Sequence, residues 1–128
     1  MTLTIGSKYK SILNYIEKKK KLHKLKINNL GQISQESLFK EYDKASALIY
    51  PSFTESFGLP LLEASSFNLP ILASELDFVR DVCNPEQTFD PKSYISISKA
   101  VERFLNFKLY KLKTFSGENF VNKVLNKN

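Results

Sequence analysis

The sequence has a single cysteine, Cys83, so no internal disulfide can staple the fold, and a lone thiol suits a reducing compartment. It has a single histidine, His23, with no Cys, His or acid at ligand spacing, which leaves no metal role for it. No uninterrupted apolar run approaches the length of a membrane span, and Met1 to Tyr15 lacks the basic start and apolar middle of a signal peptide. No repeat of about 20 to 50 residues and no low-complexity segment interrupts the chain. These absences exclude a disulfide scaffold, a helical membrane span and a solenoid. The expected location is the cytoplasm.

What is present fits an ordinary globule: 128 residues, 14.7 kDa, 42% apolar and 25% charged. That is one domain by length, large enough to build a core by apolar burial alone. The net charge of +6 hides a division. Residues 1–29 hold eight Lys against Glu17, residues 30–90 three basic residues against ten acids, and residues 91–128 eight basic residues against two acids. A middle that is acidic between two basic ends raises an anionic surface as a partner. The densest run is Lys18 to Lys21 with Lys24 and Lys26. It reads either as a solvated helix end, where cations are favoured, or as a site for anionic lipid headgroups. Nucleic acid fits less well, because no Arg or aromatic residues interleave the lysines.

The apolar pattern alternates between strand and helix periods. Leu3-Thr4-Ile5 before Gly6 predicts a strand, and Ser7 an N-cap for a helix carrying Tyr9, Ile12, Leu13 and Ile16 on one face. Leu25-Lys26-Ile27 predicts a second strand with a turn-rich exit from Asn28 to Ile33. Ser34 caps a helix that buries Leu38, Phe39 and Tyr42. Ala45 to Tyr50 predicts a buried strand, Leu59 to Phe67 a helix, and Ile71 to Ser74 a strand led by Pro70. Glu75 to Cys83 holds a short helical turn with Phe78, Val79 and Val82, and Gln87-Thr88-Phe89 an edge strand. Ile97, Ala100, Val101, Phe104 and Leu105 give an amphipathic helix; Ser116 caps a last one with Phe120, Val121, Val124 and Leu125. The expected fold class is therefore α/β, a Rossmann-like three-layer α/β/α arrangement around a mostly parallel sheet of about five strands. Its core spans about residues 2–105, followed by a basic tail over 106–128.

The chemistry concentrates in Pro51-Ser-Phe-Thr-Glu-Ser-Phe-Gly-Leu-Pro-Leu-Leu-Glu63, a strand exit, a loop and a helix start. Pro60 suits a first helical turn, and Gly58 lets the backbone approach a ligand. A helix N-terminus offers unpaired N–H groups and partial positive charge, hence affinity for phosphate. Glu55 and Glu63 stand eight residues apart. A carboxylate is an acceptor pair for neighbouring sugar hydroxyls, so in the crevice above the strand ends the two could bracket a phosphate, one holding a hexose and the other a ribose. The alternative reading of the same spacing is a solvated loop acid and a dipole-favoured helix residue.

Pro51-Ser52, then Glu55-x-Phe57-Gly58-Leu59-Pro60-Leu61-Leu62-Glu63-Ala64, then Leu69-Pro70-Ile71-Leu72-Ala73-Ser74 resembles the donor-site signature of glycosyltransferase family 4. That family builds retaining, nucleotide-sugar-dependent enzymes from two Rossmann-like domains, the GT-B architecture, so the resemblance implies one incomplete half of such an enzyme. By the resemblance Glu55 is the catalytic-site acid that binds sugar hydroxyls. Phe57, Gly58 and Leu59 meet the donor sugar and diphosphate, Glu63 meets the ribose, and Ile33 touches the nucleotide base. No metal and no cofactor are implied, the donor being a nucleotide-diphosphate sugar as substrate. The sequence departs from the family at Phe67-Asn68, where small residues and a glycine are usual.

The resemblance covers about residues 2–105 and corresponds to the later part of the donor half. An acceptor-binding domain, in cis or in trans, is the implied partner. No Arg-x4-Lys pair for the diphosphate precedes Leu3, so the 128 residues alone are expected to be inactive. Two other classes stay open: a non-catalytic nucleotide-sugar-binding or interaction module, and a basic protein held peripherally at an anionic membrane on the same fold.

Overall fold

A computed structural model describes residues 1–55 and 57–110, the last four by their backbone only. The helix expected after Ser116 lies outside the described residues. The chain divides into two compact units, Met1–Lys44 and Ala45–Asn128.

In the first unit, strand β1 (Thr2–Leu3) runs parallel to β2 (Asn28–Asn29), with Thr2 opposite Asn28 and Leu3 opposite Asn29. Helix α1 (Lys10–His23) joins them, and α2 (Gln35–Lys44) follows. Both strands differ from expectation. The Leu3–Ile5 strand stops early because the Asn29 side chain takes over the ladder: its Oδ1 accepts from the Ile5 N–H at 2.9 Å and its Nδ2 donates to the Ile5 carbonyl at 3.0 Å. Leu25–Ile27 is not the second strand; the Leu25 N–H turns back to the Lys20 carbonyl (3.0 Å) across Lys24, which adopts left-handed φ of 51°, so this stretch begins as helix exit. Ser7 does not cap α1. A turn closed by Tyr9 N–H to the Gly6 carbonyl (3.1 Å) delays the helix, and Tyr9 is the N-cap without a side-chain bond. Ser34 does cap α2, its Oγ accepting from the Ser37 N–H at 3.3 Å. Tyr42 is buried and stacks with Phe39.

The second unit holds a three-stranded parallel sheet in the order β3 (Leu48–Tyr50), β4 (Ile71–Ser74), β5 (Gln87–Phe89). The expected single ladder of five strands is thus two hydrogen-bonded sheets, one in each unit. Helix α3 (Leu59–Ser66) connects β3 to β4, α4 (Asp77–Val82) connects β4 to β5, and α5 (Tyr94–Tyr110) follows β5. All four residues of β4 are buried, which is why Ile71-Leu72-Ala73-Ser74 carries no polar alternation: a central parallel strand is covered on both faces. Alternation along the strands points Ile49, Leu72 and Phe89 to one face, where Ala100, Ile97, Val101 and Phe104 of α5 close over them. Ile71 and Ala73 point the other way, and α3 packs against β4 and α4 through Leu61 and Ala64, both fully buried. Burying a side chain such as Leu72 contributes about 1.5–3 kcal/mol.

Candidate functional site

Parallel strands β3 and β4 end side by side, so the loop after β3 and helix α4 after β4 rise from the same rim of the sheet, where parallel α/β folds hold ligands. One buried hydroxyl fixes the loop. Ser74, the last residue of β4, donates to the Ser52 carbonyl at 2.7 Å, with the Tyr50 carbonyl 3.4 Å away. Ser52 Oγ in turn donates to the Thr54 carbonyl at 2.9 Å. The chain is thereby led from Tyr50 to Glu55, and there the Tyr50 hydroxyl donates to the Glu55 carboxylate.

The loop ends at Gly58, with φ 66° and ψ 34°, the left-handed region where glycine is at ease. Its carbonyl accepts from the N–H groups of Leu61 (2.9 Å) and Leu62 (3.2 Å), which starts α3 with Pro60 in the first turn. The first N–H groups of α3 lie at the end of the helix where its dipole is positive.

An open cleft of about 350 Å³ lies beside this start, lined by Glu55, Phe57, Leu62, Phe78, Asp81 and Val82. It has an apolar wall and two carboxylates, and among the described residues no cation lines it. Arg80, next in sequence, is turned elsewhere: it pairs with Glu75, with Nε to Oε1 at 2.9 Å. The Thr88 hydroxyl and then the Arg80 guanidinium hold the Glu75 carboxyl below its ordinary range. Such a wall can stack on the C–H faces of a sugar ring while the carboxylates accept from its hydroxyls.

The structure therefore brings together Glu55, Phe57, Gly58 and Leu59. Phe57 is 67% exposed. Glu63 sits on the second turn of α3, half-buried, below Leu59 and one residue past the cleft-lining Leu62; the acid that shares the cleft with Glu55 is Asp81. Ile33 is half-buried in the first unit. Sequence reasoning missed Tyr50, Ser74 and Asp81. Phe78, Asp81 and Val82 share a helical face by their i, i+3, i+4 spacing, and they follow the strand that pairs with β3, a signal that could have placed them at the rim. Among the described residues no three His, Cys, Asp or Glu side chains gather to hold a metal ion.

A loop-to-helix start at the carboxyl rim of a parallel sheet, with helices between the strands, defines a Rossmann-like α/β protein. Residues 5–116 match the family of glycosyl transferases group 1, and the chain belongs to it. Its fold is the Rossmann-like one of GT-B glycosyltransferases: a sucrose-phosphate synthase from Thermosynechococcus elongatus superposes with a TM-score of 0.68 at 26% identity, over 82% of this chain and 29% of that one. The chain is similar to an O-antigen chain mannosyltransferase of Salmonella typhimurium, 36% identical over 61% of this chain and 23% of the relative. It is also similar to O-antigen chain mannosyltransferase B of Escherichia coli, 32% identical over 78% of this chain and 29% of the relative. The chain spans only those fractions of the relatives' lengths.

Proposed function

We propose that this chain is the donor-side part of a retaining family 4 glycosyltransferase, the later portion of its C-terminal domain, moving a hexose from a nucleotide-diphosphate sugar to a saccharide or glycolipid acceptor. The names of its relatives make mannose the first sugar to try. In this reading Glu55, steadied by the Tyr50 hydroxyl, accepts hydrogen bonds from the sugar, and Phe57 covers one ring face. The amides of Gly58 and Leu59 and the α3 dipole meet the diphosphate, and Glu63 accepts from the ribose. Ile33 as the apolar contact for the base rests on the sequence resemblance alone. The observation that carries the proposal is the cleft holding Glu55 and Phe57 beside a helix start opened by a left-handed glycine.

Among the described residues no cation lines the cleft, so there diphosphate charge is met by backbone dipoles, and the 128 residues by themselves bind donor weakly and do not turn it over. Calorimetry with guanosine- and uridine-diphosphate sugars tests this. Binding in the millimolar range that is lost in Glu55→Ala and Glu63→Ala is expected. Absence of heat at several millimolar of every donor would refute the donor site, and transfer by the pure chain would refute its inactivity.

A further inference from the structure

One side of helix α1 is exposed among the described residues. Leu13, Ile16 and Lys20, at i, i+3 and i+7, are half-buried and form its inward side. Ile12, Tyr15 and Leu22, at i, i+3 and i+10, lie on another side and are exposed, Tyr15 by 62% and Leu22 by 66%. No residue of the helix is fully buried. The exposed strip is set in lysine. Lys18 and Lys19 follow Tyr15 by three and four residues and so share its side, and Lys19 Nζ stands 5.6 Å from the Tyr15 ring centroid. Lys21, Lys24 and Lys26 follow, all exposed, beside the exposed Leu25. The helix's one acid, Glu17, is already held by Lys20 at 2.9 Å.

We infer that this side of α1 docks flat on the anionic surface of a lipid bilayer. A tyrosine between two aliphatic side chains suits the headgroup boundary, where an aromatic body is buried and its hydroxyl stays wet. The lysines lay their stems along the same surface and reach phosphate with their ammonium groups. At 14 residues, about 21 Å, α1 is too short to cross a bilayer, and no described helix is long and apolar enough to do so. A second copy of the chain fits poorly, because a two-fold contact would oppose one lysine cluster to another. Nucleic acid fits poorly as well, since the cluster contains no arginine and its centre is hydrocarbon. This inference does not depend on the donor site.

The test is co-sedimentation of the full chain with vesicles of phosphatidylglycerol and phosphatidylcholine in equal parts, against phosphatidylcholine alone. The chain is expected in the pellet with the anionic vesicles only, with salt releasing it. Lys18→Gln/Lys21→Gln/Lys24→Gln/Lys26→Gln, all at exposed positions, should lower partitioning by at least about tenfold. The sequence contains no tryptophan, so Tyr15→Trp installs one fluorophore. Its emission should shift to the blue on anionic vesicles, a response that loose electrostatic adsorption would not give. Equal pelleting with neutral vesicles, pelleting unchanged in the lysine variant, or no shift from Trp would overturn the proposal. So would a lipid-free dimer in sedimentation velocity that Tyr15→Ser/Leu22→Ser dissolves, since the strip would then be covered by a second copy.

Discussion

Replacing Gly58 with alanine should destabilise the second unit by about 2 kcal/mol, from two separable causes. The first is backbone conformation: a non-glycine residue at φ 66° and ψ 34° costs roughly 1–2 kcal/mol. The second is space. A Cβ on Gly58 would stand 3.3 Å from Val82 Cγ2 and 3.4 Å from Leu61 Cδ1. Val82 is β-branched in a helix and cannot swing aside freely, and Leu61 is fully buried. With a urea m-value of about 2 kcal/mol per molar, usual for a small domain, the midpoint should fall by about 1 M at unchanged slope. Gly58→Asn separates the causes, because asparagine tolerates the left-handed region but still carries a Cβ; it should recover about half of the loss. Adding Val82→Ala to Gly58→Ala should give less than the sum of the two single losses, since one change removes the atoms the other strikes. A Gly58→Ala midpoint within about 0.2 M of the parent, or Gly58→Asn as damaging as Gly58→Ala, would refute this account of how α3 begins. Because Leu59 and the cleft hang on that start, donor binding should weaken in step with the backbone distortion.

Ser74→Ala removes the buried hydroxyl that holds the Ser52 carbonyl, and should cost about 1 kcal/mol while amides 53–57 exchange with solvent faster than those of β4; uniform exchange across both would show that Ser74 does not anchor the loop. Stability should decline at both ends of the pH scale. The Glu75 carboxyl, held low by Thr88 and Arg80, contributes stability that is present above its usual 4.5 and is lost as pH falls through its lowered value. Burial raises the Cys83 thiol above its usual 9.0, so its contribution is full below that value and is lost as pH rises through the raised one. Urea midpoints measured across pH should be flattened on the acid side by Glu75→Gln and on the alkaline side by Cys83→Ala. A parent-like profile in either variant would discard the group concerned.

The sequence by itself determined the elements of the second unit, because there local and global demands agree. Ile71 to Ala73 is an unbroken apolar run, as suits a strand covered on both faces, Pro60 and Gly58 fit a helix start and its entry, and Gln87 to Phe89 falls at the sheet edge. Glu55 and Phe57, both within the motif, line the cleft. The first unit was less legible. Its strands are two residues long, and their boundaries are set by the Asn29 side chain and by left-handed Lys24, neither of which leaves a hydrophobic period to read. Tertiary structure alone decided which acid joins Glu55, since Asp81 comes from a helix 26 residues on and meets the loop only through the pairing of β3 with β4. It also decided what Ser74 is for: a hydroxyl in a strand has no meaning in sequence until its neighbour's carbonyls lie across from it. Periodicity reports which face of an element is buried; which side chains meet at a rim depends on strand order and register, and those are properties of the assembled sheet.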